Sequence, residues 1–212
     1  ILRQDGVNII GPASGEQACG EVGMGRMLEA CELMEAVQAF FQGGILQGQT
    51  VLVTAGPTFE AIDAVRGITN SSSGKMGYAI AQAAVEAGAQ VILVSGPTCL
   101  TPPAVDKFIR VVSAVDMLNA VQAEIAHTDI FISVAAVADY RVANISQQKL
   151  KKSDQNLSLE LIPNQDILMT VSNLPTPPFC VGFAAETEHL EKNAEAKRRK
   201  KKHYMISDTI VL

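Results

Sequence analysis

Cysteine and histidine are scarce in this chain, and they are scattered along it. The 212 residues include four cysteines and three histidines, and no two cysteines form a C-x-x-C pair. Zinc sites and disulfide frameworks normally need such residues in clusters at short, regular spacings. The sequence therefore argues against both kinds of site, although residues far apart in a chain can still converge.

Long apolar segments are absent as well. No window approaches the roughly 18 uninterrupted apolar residues that a membrane-spanning helix needs, and the N-terminus lacks a basic region followed by an apolar core. The composition, with 48% hydrophobic residues and charges of both signs, is typical of a folded soluble protein. We expect a cytoplasmic protein without a membrane partner.

The chain also has no excess of positive charge. Its formal net charge is -5, which argues against general nucleic-acid binding. Ten of its 17 lysines and arginines nevertheless lie in two short stretches, 149–152 and 192–202. From charge alone, a solvated surface and a site for a small polyanionic ligand are equally good interpretations.

Apolar strands alternate with helices from Thr50 onward. The sequence predicts strands at 50–56, 90–97, 109–114, 129–140, 179–187 and 203–208, and helices at 75–89, 114–127 and 188–202. This alternation predicts an α/β, Rossmann-like fold, with a mostly parallel sheet and helices on both of its faces. Ligands of such sheets bind beyond the carboxyl ends of the strands, so we expect loops 55–74, 135–140 and 184–186 to lie together.

Three segments depart from this alternation. The loop at 56–74 far exceeds the about 2 to 6 residues usual between a strand and a helix, and such surplus is usually functional. The segment 141–168 has little helical signal, so it predicts an extra strand near 157–162 and an exposed flap at 147–152. Residues 1–49 predict a glycine-rich loop, a helix and a linker, without a core of their own.

The stretch ITNSSSGKMG, residues 68–77, places a polar loop at a predicted helix N-terminus with Lys75 in the first turn. Such an end carries a partial positive charge and unpaired N–H groups, so a lysine there is unfavourable unless an anion shares the site. The serines offer hydroxyls and a helix cap, and Gly74 lets a ligand approach the backbone. The sequence therefore predicts a phosphate or carboxylate ligand at this helix end. A simple N-cap beside a surface lysine would not explain the long loop before it.

Standard nucleotide-loop motifs do not fit this stretch. The Walker A motif G-x-x-x-x-G-K-[ST] is mismatched at two positions, because Thr69 replaces its first glycine and Met76 replaces its hydroxyl residue. The dinucleotide-binding motif G-x-G-x-x-G should begin near Gly56, but Pro57 and Thr58 follow that glycine.

Several motifs occur in the order and spacing of the phosphopantothenate-cysteine ligase family. They are GPTFEAIDAVRGITNSSSGKMG, AAVADYR, KLKK, NQDIL, and VGFAAET followed by a lysine-rich helix. This sequence differs from the family's usual loop at Ala61, Ala64 and Gly67, where two prolines and an aromatic residue are common.

The N-terminal segment PASGEQACGEVGMGRM resembles the last part of phosphopantothenoylcysteine decarboxylase, a flavoprotein that most bacteria fuse to the ligase. The chain is thus identified as a fragment of such a bifunctional protein. The resemblance implies a decarboxylase remnant at 1–42, a linker at 43–49, and a ligase domain at 50–212 that lacks its usual C-terminal part.

The resemblance implies a two-step reaction. The carboxylate of 4'-phosphopantothenate attacks the α-phosphate of CTP, which gives an acyl-cytidylate and pyrophosphate. The amine of cysteine then attacks the acyl carbon and releases CMP. The family further implies Mg²⁺ held through the CTP phosphates, a homodimer of the ligase domain and a higher oligomer in the fusion. FMN belongs only to the missing decarboxylase domain.

The resemblance also assigns roles to residues. Asn70 matches an asparagine that contacts the acyl-cytidylate, Lys149 a flap lysine over the reacting phosphate, and Cys19 the proton donor of the full-length decarboxylase. The residues that match the family's CTP-binding positions are Ser133, Val134, Ala135, Ala136, Asp139, Lys149, Asn164, Gln165, Asp166, Ile167, Phe183, Lys197 and Lys201. Those that match its phosphopantothenate-binding positions are Asn70, Ser71, Ser72, Ser73, Gly74 and Lys75.

Other interpretations stay open at individual positions. Asn70 could simply form a turn, Asp139 could have a structural role, and Phe183 is typical of a hydrophobic core. Any lysine of the run 197–202 could take the place of Lys201.

Two other functions also stay open. A short-chain-type NAD(P) oxidoreductase has a similar small-residue helix, but Tyr140 is followed four residues later by Asn144 rather than by that family's lysine. A non-catalytic nucleotide-binding module would retain CTP binding without turnover.

Overall fold

The computed structural model of the chain describes residues 2, 7–16, 21–42, 44–152, 156–186 and 205–210. The chain separates into two compact units, Ile1–Ile45 and Leu46–Leu212. The boundary lies inside the predicted linker 43–49, while the assignment of each part to a domain stays a prediction.

The first unit contains a β-hairpin and a helix. Strands β1 (Ala13–Glu16) and β2 (Val22–Arg26) pair antiparallel, and helix α1 (Ala30–Gln42) follows. The helix was predicted, but the glycine-rich loop expected here is instead a hairpin, because backbone pairing does not need large side chains: Gly15 pairs with Gly23. None of the buried apolar residues among those described belongs to this unit.

The second unit is built of strands and helices in alternation. Its strands are β3 (Thr50–Ala55), β4 (Phe59–Ala61), β5 (Gly67–Thr69), β6 (Gln90–Ser95), β7 (Lys107–Arg110), β8 (Ile130–Ser133), β9 (Tyr140–Val142), β10 (Leu161–Pro163), β11 (Phe179–Glu186) and β12 (Met205–Ile210). Its helices are α2 (Lys75–Glu86), α3 (Ala114–Glu124) and α4 (Ile167–Ser172), with a 3-10 turn at Ile125–His127.

Six of these strands form one parallel sheet in the order β12-β11-β8-β3-β6-β7. Counted along the chain, this is the doubly wound Rossmann order, in which the progress of the chain reverses between β3 and β8. The predicted α/β, Rossmann-like fold is therefore confirmed. Two antiparallel pairs, β4 with β5 and β9 with β10, lie outside the sheet.

Both faces of the sheet are covered by helices. Along β3, Val51 and Val53 are buried on the face that packs against α2, where Ala81 is buried with them. The intervening Leu52 is buried on the other face, with Met117 of α3 and residues of α4. This alternation follows from the two-residue period of a strand.

Several predicted boundaries were wrong. Strand β8 ends at Ser133 rather than 140, and residues 184–186 belong to β11 rather than to a loop. Helix α4 was missed because its six residues are too few to show a helical period. The predicted helix at 188–202 lies outside the described residues. In the described part of the chain, no helix has the length and apolar character needed to cross a membrane.

The predicted strand at 109–114 was wrong beyond Arg110, because a helix cap replaces it. Ser113 is the N-cap of α3: its Oγ accepts from the Asp116 N–H at 3.1 Å, and the Ser113 N–H donates to Asp116 Oδ2 at 2.9 Å. The Ser113 N–H lowers the pKa of Asp116, and the Ser113 hydroxyl adds to the effect. This reciprocal pair satisfies two amides at the helix end.

Helix α2 approaches β3 closely at Gly77. A Cβ added at this position would lie 2.5 Å from Ala55 Cβ and 3.3 Å from the Thr54 carbonyl oxygen. The small residues of the predicted helix are therefore a packing requirement, and they bring the N-terminus of α2 against the end of β3.

We expect Gly77→Ala to lower the free energy of unfolding by about 1–3 kcal/mol, because the added methyl overpacks this contact. Helix propensity alone predicts the opposite sign, a gain of about 1 kcal/mol. Urea unfolding of the chain measures the difference, with Ala79→Gly on the exposed side of α2 as a control that loses stability through propensity only. A more stable Gly77→Ala variant would contradict the packing.

Candidate functional site

A cavity opens at the carboxyl ends of β8 and β11, beside the point where strand order reverses. Its volume is about 200 Å³. It is lined by Ser133, Val134, Ala135, Val137, Ala138, Asp139, Asn164, Gln165, Asp166, Ile167, Leu168 and Phe183. Most residues matched to CTP are thus brought together, whereas Ala136 is not part of the lining.

Ala136 instead joins the loop after β8 to the loop after β3. Its N–H donates to the Gly56 carbonyl at 2.9 Å, and its carbonyl accepts from the Thr58 N–H at 3.3 Å. Thr58 adds a third bond, because its Oγ1 accepts from the Ala138 N–H at 3.0 Å. The two loops leave neighbouring strands, so the wall of the cavity is continuous with the long loop.

Asn70 is bound to the same wall. Its Nδ2 donates to the carbonyls of Ala136 at 3.1 Å and Val137 at 3.2 Å. Both amide hydrogens are therefore used within the protein. Among the described residues no group donates to Asn70 Oδ1. This oxygen is therefore the atom of the side chain that can accept a hydrogen bond from a ligand.

The start of α2 differs from the predicted cap. Gly74 is the N-cap with φ 78°, and a glycine has no side chain with which to cap the first turn. The Ser72 and Ser73 hydroxyls accept from the Gly74 and Lys75 N–H groups, both at 3.4 Å. Glycine is required at 74 because a Cβ would also lie 2.8 Å from Thr98 Cγ2. The N-cap is thus Gly74 rather than one of the serines, although Ser73 Oγ accepts from the first N–H of α2.

The loop before α2 contains a hairpin that the sequence did not reveal. Strand β4 pairs with β5, and the buried Glu60 accepts from the Ala114 N–H at 2.9 Å. A Cβ at Gly67 would lie 2.3 Å from Phe59 Cζ. The ring of Phe59 therefore occupies the space beside position 67.

The flap lysine lies on a segment held by two residues that sequence reasoning missed. Lys149 is exposed, and its neighbour Leu150 is hydrogen bonded to Asp63 and Arg66. The Arg66 guanidinium, followed by backbone N–H groups, holds the pKa of the Asp63 carboxyl well below its usual range. The D-x-x-R spacing in the long loop was the available signal.

Asn164 and Asp166 contribute to the cavity wall through bonds within the protein. The Asn164 N–H donates to the Asp139 carbonyl at 2.7 Å. In its side chain, Nδ2 donates to the Ala138 carbonyl and Oδ1 accepts from Arg141 Nη1, both at 2.9 Å. Asp166 is the N-cap of α4. Both residues hold the lining in place whatever their contact with a ligand.

Ser71, in the loop before α2, and Lys75, the first residue of α2, are exposed, and Phe183 is half-buried in the cavity lining. Cys19, Lys197 and Lys201 lie outside the described residues.

The cavity lining contains acidic residues, but the described residues form no metal-binding cluster. Across the described ranges, no group of three or more His, Cys, Asp or Glu side chains could hold an ion. The cavity nevertheless includes the carboxylates of Asp139 and Asp166. Mg²⁺ is commonly bound through one or two carboxylates together with substrate phosphates and water.

Known proteins are similar to this chain over most of its length. The family described as the DNA/pantothenate metabolism flavoprotein C-terminal domain matches residues 46–211. The coenzyme A biosynthesis bifunctional protein CoaBC of Vibrio vulnificus strain YJ016 is 54% identical over 204 residues, 95% of this chain and 51% of that protein. The chain thus spans about half the length of the curated relatives it matches.

Solved structures share the fold. The crystal structure of the C-terminal domain of CoaBC is 47% identical with a TM-score of 0.70, and the match covers 77% of this chain and 78% of that one. A Cab2 mutant in complex with phosphopantothenate-cysteine has a TM-score of 0.69 over 83% of this chain and 76% of that one. At 18% identity, the latter likeness concerns the fold alone.

We expect Thr58→Val to destabilise the chain by about 1–3 kcal/mol, because the buried Ala138 N–H loses its acceptor while the side-chain shape is kept. Hydrogen exchange at the Ala138 amide should quicken together with the fall in urea stability. Thr128→Val is the matched control: its hydroxyl bonds the Glu124 carbonyl before the start of β8. Unchanged exchange at Ala138 would contradict the contact.

Proposed function

The chain belongs to the family of the DNA/pantothenate metabolism flavoprotein C-terminal domain, and on that premise we propose that it ligates 4'-phosphopantothenate to cysteine in coenzyme A biosynthesis, using CTP. The products are phosphopantothenoylcysteine, CMP and pyrophosphate. The observation that carries this proposal is the cavity beside the switch point, where residues matched to CTP line one wall and Asn70 is bound to the same loop. Relatives named for coenzyme A biosynthesis support it.

The cavity would receive the cytidine part of CTP. Its volume of about 200 Å³ is below the roughly 300–1,000 Å³ of pockets that enclose whole small ligands, so the triphosphate would extend outside it. Backbone carbonyls and the Asp139 carboxylate can accept from the exocyclic amine of cytosine. Lys197 and Lys201 are the proposed partners of the triphosphate, with Mg²⁺ bound through its oxygens.

The first step needs positioning and charge stabilisation rather than a protein nucleophile. The substrate carboxylate attacks the α-phosphorus, and pyrophosphate leaves with the electron pair of the broken bond. Negative charge grows on the phosphoryl oxygens, and the ammonium group of Lys149 would offset it. The phosphate of phosphopantothenate would bind near 71–75, at the N-terminus of α2.

Asn70 would act in the second step through its oxygen. Because its amide hydrogens bind the Ala136 and Val137 carbonyls, Oδ1 is the group that can accept from the incoming amine of cysteine. An amine held in this way would present its lone pair to the acyl carbon. As the C–N bond forms, the C–O bond to the phosphate breaks, CMP leaves with its electron pair, and the proton lost from the nitrogen passes to solvent. This refines the role that the family resemblance implied.

The remaining expectations belong to the same proposal. The ligase domain would work as a homodimer in the cytoplasm, and as a higher oligomer when fused to the decarboxylase. Cys19 would serve the FMN-dependent decarboxylase only in the full-length protein. The decarboxylase remnant would occupy 1–42, the linker 43–49 and the ligase domain 50–212.

Incubation with CTP, Mg²⁺, phosphopantothenate and cysteine should produce pyrophosphate and CMP, and omission of phosphopantothenate should abolish both. Lys149→Ala should slow pyrophosphate release by about 10²–10³-fold, as expected for loss of one stabilising charge at the reacting phosphate. Lys151→Ala removes the same charge two residues away and is the matched control. CTP binding without turnover would favour the non-catalytic module, and hydride exchange with NADPH would favour an oxidoreductase.

Asn70→Asp should still release pyrophosphate but form little amide. A carboxylate at 70 cannot donate to the Ala136 and Val137 carbonyls, so it would leave the position that faces the amine. Rapid-quench analysis should show accumulation of the acyl-cytidylate. Asn173→Asp, which alters an exposed amide bonded to the Met169 carbonyl, should leave both steps intact. Normal amide formation by Asn70→Asp would refute the role of Asn70.

A further inference from the structure

The two carboxylate oxygens of Asp63 bind different parts of the molecule. Oδ1 accepts from the N–H groups of Val65 and Arg66, both at 2.8 Å, and so closes the turn of the β4–β5 hairpin. Oδ2 accepts from Arg66 Nε at 3.0 Å and Nη2 at 2.5 Å, and from the Leu150 N–H at 3.0 Å. One side chain thus joins a local turn to a segment 87 residues away.

Arg66 completes the attachment from the other side. Its Nη2 also donates to the Leu150 carbonyl at 2.7 Å, so the N–H and the carbonyl of Leu150 are both held by one ion pair. The Asp63 side chain is inaccessible to solvent, while 45% of the Arg66 side chain is exposed. Charge-assisted bonds of this kind are stronger than bonds between neutral groups. We name this arrangement of Asp63, Arg66 and Leu150 the clasp.

The segment 146–152 has few other attachments. Besides the clasp, its one described hydrogen bond to the rest of the chain runs from the Ser146 N–H to the Ile62 carbonyl at 3.1 Å. Ile62 belongs to the same hairpin turn, since its N–H donates to the Arg66 carbonyl at 2.8 Å. The position of Lys149 therefore depends on this turn.

The same turn leads directly to Asn70. Strand β5 begins one residue after Arg66 and ends at Thr69, whose hydroxyl donates to the Thr58 carbonyl at 2.7 Å. The clasp consequently fixes the flap to the strand that delivers Asn70 to the crevice. The two residues proposed to act in successive steps are thus attached to one hairpin.

We propose that Asp63 is a positioning residue that holds the 146–152 flap against the hairpin turn and so places Lys149 for the first step. The clasp stands on the contacts alone, whereas its effect on the reaction rests on the proposed ligase function. Asp63 itself touches no reacting group.

Asp63→Asn tests the clasp with little change in volume. In one orientation the amide NH₂ group faces the Arg66 and Leu150 donors, and in the other it faces the two N–H groups of the turn. Either way the charge and part of the acceptor set are lost. Asp106→Asn is the matched control, because Asp106 Oδ2 accepts from the distant Val91 N–H at 2.7 Å and has no contact with the flap.

Limited trypsin digestion reports release of the flap independently of activity. Cleavage after Lys149, Lys151 and Lys152, located by mass spectrometry, should be on the order of tenfold faster in Asp63→Asn. In steady-state assays the kcat for pyrophosphate release should fall on the order of tenfold, while the KM for CTP changes less than about twofold. Asp106→Asn should match the wild type in both measurements.

Arg66→Lys serves as a second variant if Asp63→Asn fails to fold. It keeps the charge beside Asp63 but removes the planar fork that reaches Leu150, so cleavage should again quicken. Wild-type cleavage in the folded variants overturns the clasp, and faster cleavage with an unchanged kcat overturns its link to the first step. If the wild type forms no pyrophosphate while the variants still expose the flap, the ligase proposal fails and the clasp stands.

Discussion

The wall of the cavity depends on the hydrogen bonds made by the backbone N–H and carbonyl of Ala136. Its N–H and carbonyl both bind the loop after β3, and the same carbonyl receives the amide of Asn70. Because β3 and β8 are neighbours at the point where strand order reverses, these bonds join two loops whose bonded residues are 66 to 80 positions apart in the sequence. They hold the cavity wall against the long loop and fix the side chain of Asn70.

Polar side chains around the crevice mostly bind the protein itself. Asn164 bridges two loops, Asp166 caps a helix, and Thr58 supports the Ala138 amide. Such hydrogen-bonded groups are fixed in position, which makes the wall of the site rigid. Rigid positioning with few free functional groups suits the proposed reaction, whose two steps would need alignment of substrates rather than a nucleophile from the protein.

The sheet was predictable because its signal is local. A continuous apolar run such as Val51, Leu52 and Val53 is typical of a strand with both faces buried, and the small residues of α2 indicate close packing. The site was predictable only as a set of motifs, through family resemblance. Its supports were not: Ser113 caps a helix where a strand was expected, and Asp63 acts through Leu150, a partner that no local pattern reveals. Contacts set by tertiary structure leave little trace in sequence periodicity.

The β4–β5 hairpin also explains why nucleotide-loop templates fail in a chain with Rossmann strand order. In dinucleotide-binding proteins a short glycine-rich turn after the first strand leaves room for a pyrophosphate. Here the loop crosses toward β6 and β7 instead: the Phe59 N–H donates to the Val112 carbonyl at 2.8 Å, and a Cβ at Gly96 would lie 1.8 Å from the Pro57 carbonyl oxygen. The loop therefore covers part of that side, although a cavity of about 230 Å³ remains at the ends of β6 and β7. The proposed CTP site is the cavity on the other side, beside β8 and β11, rather than the loop after β3.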